Sequence, residues 1–472
     1  MRKLLLAATA LFLSFASGAQ WIQQNAGFSN DTLGFYEMSL PDRNTAWAVC
    51  YDGKNGLLSG RPVLDFTRTT DGGNTWIPGK VGSDRTLRFS NISAIDGQEA
   101  WVAMHKMGPF SPLTGAGFVG GGGIFHTTNA GASWEHTDPG ELFDSSSVPR
   151  FVHFKDRNHG IAVGDPNGGY WEVYLSNNKG KKWKRVPREN LPEALPGEVG
   201  WISGYAAVGN TLWFGSSAGR VYKSVDFGKT WTVHSVDTIP GTYVNEIAFL
   251  DNGLHGVAHL RGRNRTFVFS TSDGGLTWTN YFQPANWKNS RVTAVPGTNA
   301  FVSTSTHPNP LFTGSAVSYD AGQTWTDIER DAQKAVCRFF DAGTGYAGGF
   351  FLTSPFRGGI FKSQIVFQTP AAEPAGSSRT RPATPPKAVS ANAVTVYPTP
   401  ARDVLRVQLP EALAHSEGVV SILNLDGKLL QSVKLTGATS MQLNVSSLPA
   451  GMYTLRIVTP KGMSSQLVSI VK

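Results

Sequence analysis

The chain has 472 residues, with 53 Gly, 27 Pro, 13 Trp and 27 Phe, and carries a formal net charge of +8. That length exceeds one ordinary compact unit unless the chain repeats internally, and no stretch keeps a helical period, which excludes a mainly helical protein. With two cysteines and no C-x-x-C, a disulfide framework and a thiolate metal site are excluded as well.

At the N-terminus, Arg2 and Lys3 precede the apolar run LLLAATALFL, and ASGA then supplies small residues. The pattern predicts a signal peptide over residues 1–19, cut after Ser17-Gly18-Ala19, with Gln20 the first mature residue. The run is too short to span a bilayer and no later stretch is long enough, so an exported, secreted or cell-surface protein without a transmembrane segment is expected. Removing Arg2 and Lys3 leaves an excess of about +6, a weak pull towards anionic partners.

From residue 20 to 368 one turn recurs: TDGGNTW (70–76), TNAGASW (128–134), NNKGKKW (177–183), VDFGKTW (225–231), SDGGLTW (272–278) and YDAGQTW (319–325). Its carboxylate or amide falls at Asp71, Asn129, Asn178, Asp226, Asp273 and Asp320, in steps of 58, 49, 48, 47 and 47 residues. Its indole falls at Trp76, Trp134, Trp183, Trp231, Trp278 and Trp325. A period near fifty with turn signals at a fixed offset predicts a repeat array. Within one period, VNEIAFLD (244–251), GVAHL (256–260), TFVFSTS (266–272) and TWTNYF (277–282) read as four short strands, which is one propeller blade. Residues 335–364 supply three strands of a seventh period, and WIQQNAGF (21–28) is a strand with no period of its own. The first strand is therefore expected to complete the last blade and close the ring.

The turn needs no substrate to explain it. Glycines allow positive φ, Asp or Asn bonds the turn's own N–H groups, and the indole packs between neighbouring sheets. Six copies around a ring cannot surround one substrate, so these residues are expected to be structural fasteners.

The motif S/T-x-D-x-G-x-T-W resembles the Asp-box, or BNR repeat, of sialidases, sortilin-type receptors, xyloglucan-specific glycoside hydrolases and photosystem II assembly factor-like propellers. That resemblance covers residues 21–368 and implies an all-β, seven-bladed β-propeller; it says little about activity. After a Pro/Ala/Ser-rich linker (369–392), residues 393–472 read as a small β-sandwich domain with six alternating strands and a hairpin turn at Asp426-Gly427. VTVYPTPARDVLRV (394–407), LNLDGKLL (423–430) and LPAGMYTLRI (448–457) resemble the type A C-terminal sorting domain of the type IX secretion system, with Thr399 where that family carries Asn. The resemblance implies that residues 393–472 engage the type IX secretion machinery and carry the chain across the outer membrane.

Other signals point away from chemistry. GAGFVG (115–120) matches a dinucleotide-binding pattern, but a glycine run and a strand follow it instead of a helix, so it reads as a loop. No Arg-Ile-Pro motif accompanies the arginines and tyrosines a sialidase would need, the nearest fragment being GRPVL (60–64). Asp65, Asp165, Glu172 and Asp251 are available to a glycosidase, yet no spacing singles out a pair. No clustered His or Ca²⁺-loop pattern implies a metal, and no cofactor is expected. KGKKWKRVPR (179–188) overlaps a box turn and reads as a solvated basic edge, not a nucleic-acid site.

Cys50 falls in blade one and Cys337 in blade seven, neighbours in a closed ring but at different strand positions, so their bonding stays open. The connections from second to third strand lie opposite the box turns and are long in blades five, six, seven, one and two. They would bring Tyr51, Lys54, His105, Lys106, Phe110, Arg261, Arg263, His307, Phe312, Phe356 and Arg357 towards one sector. Aromatic faces beside cations suit a glycan, a surface polymer or a protein partner, and long loops on a rigid scaffold are where binding usually resides. The expected role is non-catalytic binding or scaffolding, with a glycan-cleaving hydrolase as the rival.

Overall fold

The computed structural model describes residues 20–367 and 395–471, except for 29–32, 54–62, 112–114, 138–141, 238–240, 263–264, 282–283, 308, 310, 350–358, 398–400, 410–416, 424–428, 450 and 460–461. The predicted signal peptide, the linker and the Asp426-Gly427 turn lie outside the described residues. The chain divides into two compact units, residues 1–371 and 372–472.

The first unit is a seven-bladed propeller, each blade a four-stranded antiparallel sheet. The first strands of the blades are Leu33–Ser39, Leu87–Ala94, Pro149–Phe154, Gly200–Val208, Tyr243–Phe249, Arg291–Ala294 and Val336–Asp341, and all seven meet at the axis. Six blades use consecutive strands. Blade seven takes three strands from residues 336–363 and its fourth, Trp21–Gln24, from the start of the chain. Trp21 pairs with Ser363 and Gln24 with Ile360, which is the closure expected from the unpaired first strand. Trp21 also carries energy of its own. It is buried, its indole N–H donates to Ser315 Oγ of blade six at 2.9 Å, and its ring lies 6.0 Å from Phe339.

The box turns form the internal hydrogen bonds that their residue types imply. The hydroxyl ending each third strand donates to the box Oδ1: Thr69 to Asp71, Thr127 to Asn129, Ser176 to Asn178, Ser224 to Asp226, Thr271 to Asp273 and Ser318 to Asp320, at 2.7–3.0 Å. The same oxygen accepts the N–H four residues on, as from Thr277 to Asp273 at 3.0 Å. In Asn129 the second atom is a donor instead, and Nδ2 gives its hydrogen to Ser133 Oγ at 2.8 Å. An amide therefore serves where a carboxylate usually stands. Glycine pairs occupy the left-handed positions in two copies only. Elsewhere Ala130, Lys179, Phe227 and Ala321 take the first of them, with φ between 56° and 66°. The second is glycine throughout, and at Gly73 a Cβ would come within 2.9 Å of the Tyr346 hydroxyl.

Box turns also reach the preceding blade. Trp101 of blade two donates to Lys179 O in the turn of blade three at 3.1 Å, and Trp213 of blade four to Gly274 O in that of blade five at 2.9 Å. Each indole stacks on a first-strand phenylalanine of that next blade: Trp101 on Phe154 at 3.6 Å and Trp213 on Phe249 at 3.8 Å. Lys362 of blade seven donates to Gly72 O of blade one at 2.6 Å, so the same link spans the closure. A buried indole N–H without an acceptor costs about 1–3 kcal/mol, so these contacts fix the blades in register.

One sequence expectation is corrected, and one open question is met by the packing. GAGFVG is no loop: Gly115–Thr127 is a 13-residue strand pairing with Ala100–Ser111, in a hairpin whose register shifts twice. Those shifts let glycine-rich chain keep its pairing by bulging, a reading that composition alone does not give. The possible Cys50–Cys337 bond is absent, because both are buried free thiols. Adjacent residues on a strand face opposite ways. Val336 packs in one core cluster with Cys50, whereas Cys337 packs in another with Val295 and Val302. The sheet of blade seven stands between the two sulfurs. Burial pushes both thiols up, Cys337 to about 12, so both stay protonated.

The second unit is a β-sandwich. One sheet holds Thr395–Tyr397, Val404–Gln408 and Ser440–Asn444; the other holds Leu429–Thr436, Glu417–Leu423, Gly451–Thr459 and Gly462–Ile470. Val396, Leu405 and Leu443 from the first meet Ile422, Leu455 and Val468 from the second in one core.

Candidate functional site: the axis and the long connections

Where the first strands converge, charged residues replace the apolar ones that their neighbours carry. Glu37 of blade one and Glu246 of blade five both approach Arg338 of blade seven, at 2.7 Å and 3.6 Å from Nη2. Arg291 of blade six bonds the other oxygen of Glu246, and its guanidinium lies 5.4 Å from the Tyr36 ring centre. Glu37 and Glu246 are only 2% and 1% exposed. Burial pushes the Glu246 carboxyl up, against the pull of Arg291 and Arg338. Tyr205 of blade four stacks on Phe151 at 4.3 Å, and burial followed by the charge of Glu37 raises its hydroxyl. Asn91 crosses between blades, bonding Val152 N and O of blade three at 2.9 Å each.

Of these, Glu37, Glu246, Arg338 and Tyr205 line a cavity of about 360 Å³ that includes Leu40, Asp251 and Pro296 from first-to-second-strand turns. Box turns donate N–H groups to those same turns, Gly72 to Asn44 O and Gly274 to Leu254 O at 2.9 Å. The cavity therefore opens at the box-turn end. Long-connection reasoning points to the opposite end and misses it. One signal was available: a Glu or Arg inside an otherwise apolar first strand, as in FYEMS, VNEIAF and VCRFFD.

The sector named from the sequence is only partly assembled. Lys106 and Phe312 are exposed, Arg261 and His307 half-buried. His307 and Phe312 stand edge to face, with ring centres 5.2 Å apart. Tyr51 and His105, by contrast, are buried. His105 Nδ1 lies 2.9 Å from Ser90 Oγ, and burial, aided by Arg150 and Arg88, lowers it to about 3. It is neutral and part of the core, because it lies on a long strand, not in a loop. Lys54, Arg263, Phe356 and Arg357 fall outside the described residues, as does the Phe110 side chain.

The four carboxylates weighed for hydrolysis are dispersed and engaged. Asp165 Oδ1 accepts from Arg150 Nε at 2.8 Å, Glu172 pairs with Arg185 at 3.3 Å and Asp65 with Lys80 at 3.5 Å. Asp251 Oδ2 accepts the Gly297 N–H at 2.6 Å. Lys184 and Arg185 of the basic stretch form the short fourth strand of blade three, with Trp183 packed edge-on against Phe154. Among the described residues no group of three or more His, Cys, Asp or Glu is placed to hold a metal, and no helix is long and apolar enough to cross a membrane.

Comparison with known proteins bears on both units. YCF48 bound to D1 peptide is 18% identical, covering 73% of this chain and 96% of its own, with a TM-score of 0.47. A GH74 enzyme of Niastella koreensis is 15% identical, covering 93% of this chain and 66% of its own, with a TM-score of 0.43. A Trypanosoma rangeli sialidase in complex with 2,3-difluorosialic acid is 13% identical, covering 95% and 86%, with a TM-score of 0.41. The blade count rests on strand pairing itself. No curated protein matches the chain significantly. Residues 395–471, the β-sandwich, match the family described as the secretion system C-terminal sorting domain. The chain is a seven-bladed β-propeller that carries a C-terminal sorting domain for secretion.

Proposed function

We propose that this chain is exported through a type IX system by its C-terminal domain and serves at or beyond the cell surface as a non-catalytic binding propeller. The ligand is a glycan or another surface polymer, engaged by the long second-to-third-strand connections. The state of the axial carboxylates carries the reading: Glu37 and Glu246 are both bound to Arg338, and Glu246 to Arg291 as well. Ions so paired are poor proton donors and nucleophiles, since a glycosidase keeps one carboxyl protonated and the other free. The exposed Lys106 and Phe312 supply the cation and the aromatic face that a polymer would meet.

Glycan hydrolysis is the rival, favoured by two carboxylates meeting in the axis and by the raised Glu246. A glycan and surface-polymer array beside a hydrolysis assay separates the two. Binding without turnover, weakened about tenfold by combined Lys106→Ala and Phe312→Ala and unaffected by Leu276→Ala on the box face, is the expected outcome. Turnover abolished by Glu246→Gln would establish the rival.

A second expectation concerns the tail. A chain ending at residue 392 should accumulate in the periplasm, while the full chain reaches the surface or the medium. Cell fractionation checks this, and normal export of the shortened chain would remove the sorting role.

A further inference from the structure

The box-turn end of the propeller is charged unevenly. In blades three and four its turns include KDRNH (155–159), NNKGKK (177–182) and VDFGKT (225–230), with six lysines and arginines against two aspartates. The turns of blades six, seven and one carry Asp320, Asp341, Asp42 and Asp71 against Arg43. Within the basic part, Arg157 is taken by Asp96 and Glu99, and Asp156 faces His159. Lys155, Lys181 and Lys229 are exposed, and among the described residues none of the three pairs with a carboxylate. Lys155 instead joins the two blades, donating to Asn210 Oδ1 at 2.8 Å and lying 4.5 Å from the Phe227 ring centre. Asn178 keeps the box turn of blade three without a countercharge. Its Oδ1 accepts from Ser176 Oγ and from Lys182 N–H at 3.0 Å each, as a box carboxylate does, yet the amide is neutral.

Beside these lysines, three aliphatic side chains stand in water. Val225, Leu254 and Leu276 are 64%, 50% and 49% exposed. Val225 shares its turn with Lys229. Leu276 lies in the box turn of blade five, where Gly274 N donates to Leu254 O and Gly274 O accepts from Trp213 of blade four. The carboxylates nearby are Asp226, Asp251 and Asp273, and each accepts a backbone N–H. A soluble polyanion would use the lysines and leave the aliphatic tips in water. A bilayer with anionic headgroups uses both, since phosphates meet the ammonium groups while the tips enter the interface.

We infer that blades three to five dock by their box-turn end on an anionic lipid surface. The long second-to-third-strand connections, at the opposite end, stay clear of the lipid. Docking does not rest on what those connections bind, so either reading can fail alone.

Co-sedimentation of the full chain with vesicles tests this, using phosphatidylcholine alone and an equal mixture of phosphatidylcholine and phosphatidylglycerol. Binding to the mixed vesicles only is expected. Three variants borrow the residue that another copy of the turn carries at the same position, so each should fold. Lys181→Gln with Lys229→Gln follows Gln323, Asn178→Asp follows Asp226, and Val225→Thr with Leu276→Gln follows Thr70 and Gln323. Affinity should fall about fivefold for each lysine removed and by a similar factor in Asn178→Asp. The aliphatic pair should lose several-fold through its apolar contact. Equal binding to phosphatidylcholine alone, no binding to either vesicle, or undiminished affinity in the lysine pair or in Asn178→Asp overturns the inference. A Val225→Thr, Leu276→Gln variant that binds as tightly as the parent also overturns it, marking the patch as a site for soluble polyanions.

Discussion

Deleting residues 20–24 should open the propeller, and the product should aggregate instead of remaining monomeric. The deletion removes the strand that pairs with Ile360–Ser363 and the bond from Gln364 N to Gln20 O at 2.9 Å. Ile360–Ser363 then becomes an unpaired edge, a template for pairing with another chain. A gentler variant separates the indole from the strand. Trp21→Ala keeps the backbone pairing but loses the buried ring and its bond to Ser315. The expected loss is about 3–5 kcal/mol, as for other buried tryptophans. Against a total stability of roughly 5–15 kcal/mol this is severe. Light scattering and denaturant unfolding check the pair, and a monomeric deletion product of full stability would contradict the closure argument.

Asp273→Ala should cost about 1–3 kcal/mol, because it strips acceptors from a turn that stays partly buried. Asp273 accepts from the hydroxyls of Thr271 and Thr277 at 2.7 and 2.6 Å, and from the N–H groups of Leu276 and Thr277. Asp273→Asn should cost less, since Asn129 and Asn178 already accept through the same atom in their own turns. Thermal or urea unfolding orders the three proteins. Equal stability of the alanine variant, with a specific loss of ligand binding, would turn the fastener into a site. Acid gives a second readout. Hydrogen bonds from Thr75 first, then Thr69, hold Asp71 down at about 2, and burial of Asp226, Asp273 and Asp320 is outweighed by similar bonds. A carboxyl lowered in the folded state stabilises above its unfolded value, near 4. That contribution should drain away as pH falls from about 4 towards 2, and Asp→Asn at these turns should flatten the slope.

Propeller architecture was readable because its evidence is local and repeated. A turn of seven residues, returning every 47–58 positions, reports on the sheet around it without knowledge of distant partners. Ring closure was readable by elimination, from a blade short of one strand and a strand without a blade. Pairing that depends on bulges was not, and Gly115–Thr127 looked too glycine-rich to be sheet. The same long hairpin explains why His105 reads as a loop residue and is buried. The axial charges were hidden for another reason. Glu37, Glu246, Arg291 and Arg338 come from blades one, five, six and seven, and nothing but the closed circle brings them together. Tyr51 and Phe312 both end near long connections; only three-dimensional packing buries one and leaves the other in solvent.

Closing the circle with residues from its very beginning has a cost in time. A ribosome must add 336 residues after Gln24, Ile360 being the last of them, before those partners can meet. At ~5–20 residues per second that wait lasts roughly 20–70 s. A long apolar segment exposed for such an interval would find other partners first. The waiting segment here is WIQQ, four residues of which two are glutamines, and its isoleucine stays 46% exposed even after docking. It is too short and too polar to seed a sheet elsewhere, and its single tryptophan finds a fitting pocket only once blades six and seven exist. Patience is thus written into the segment that has to wait longest.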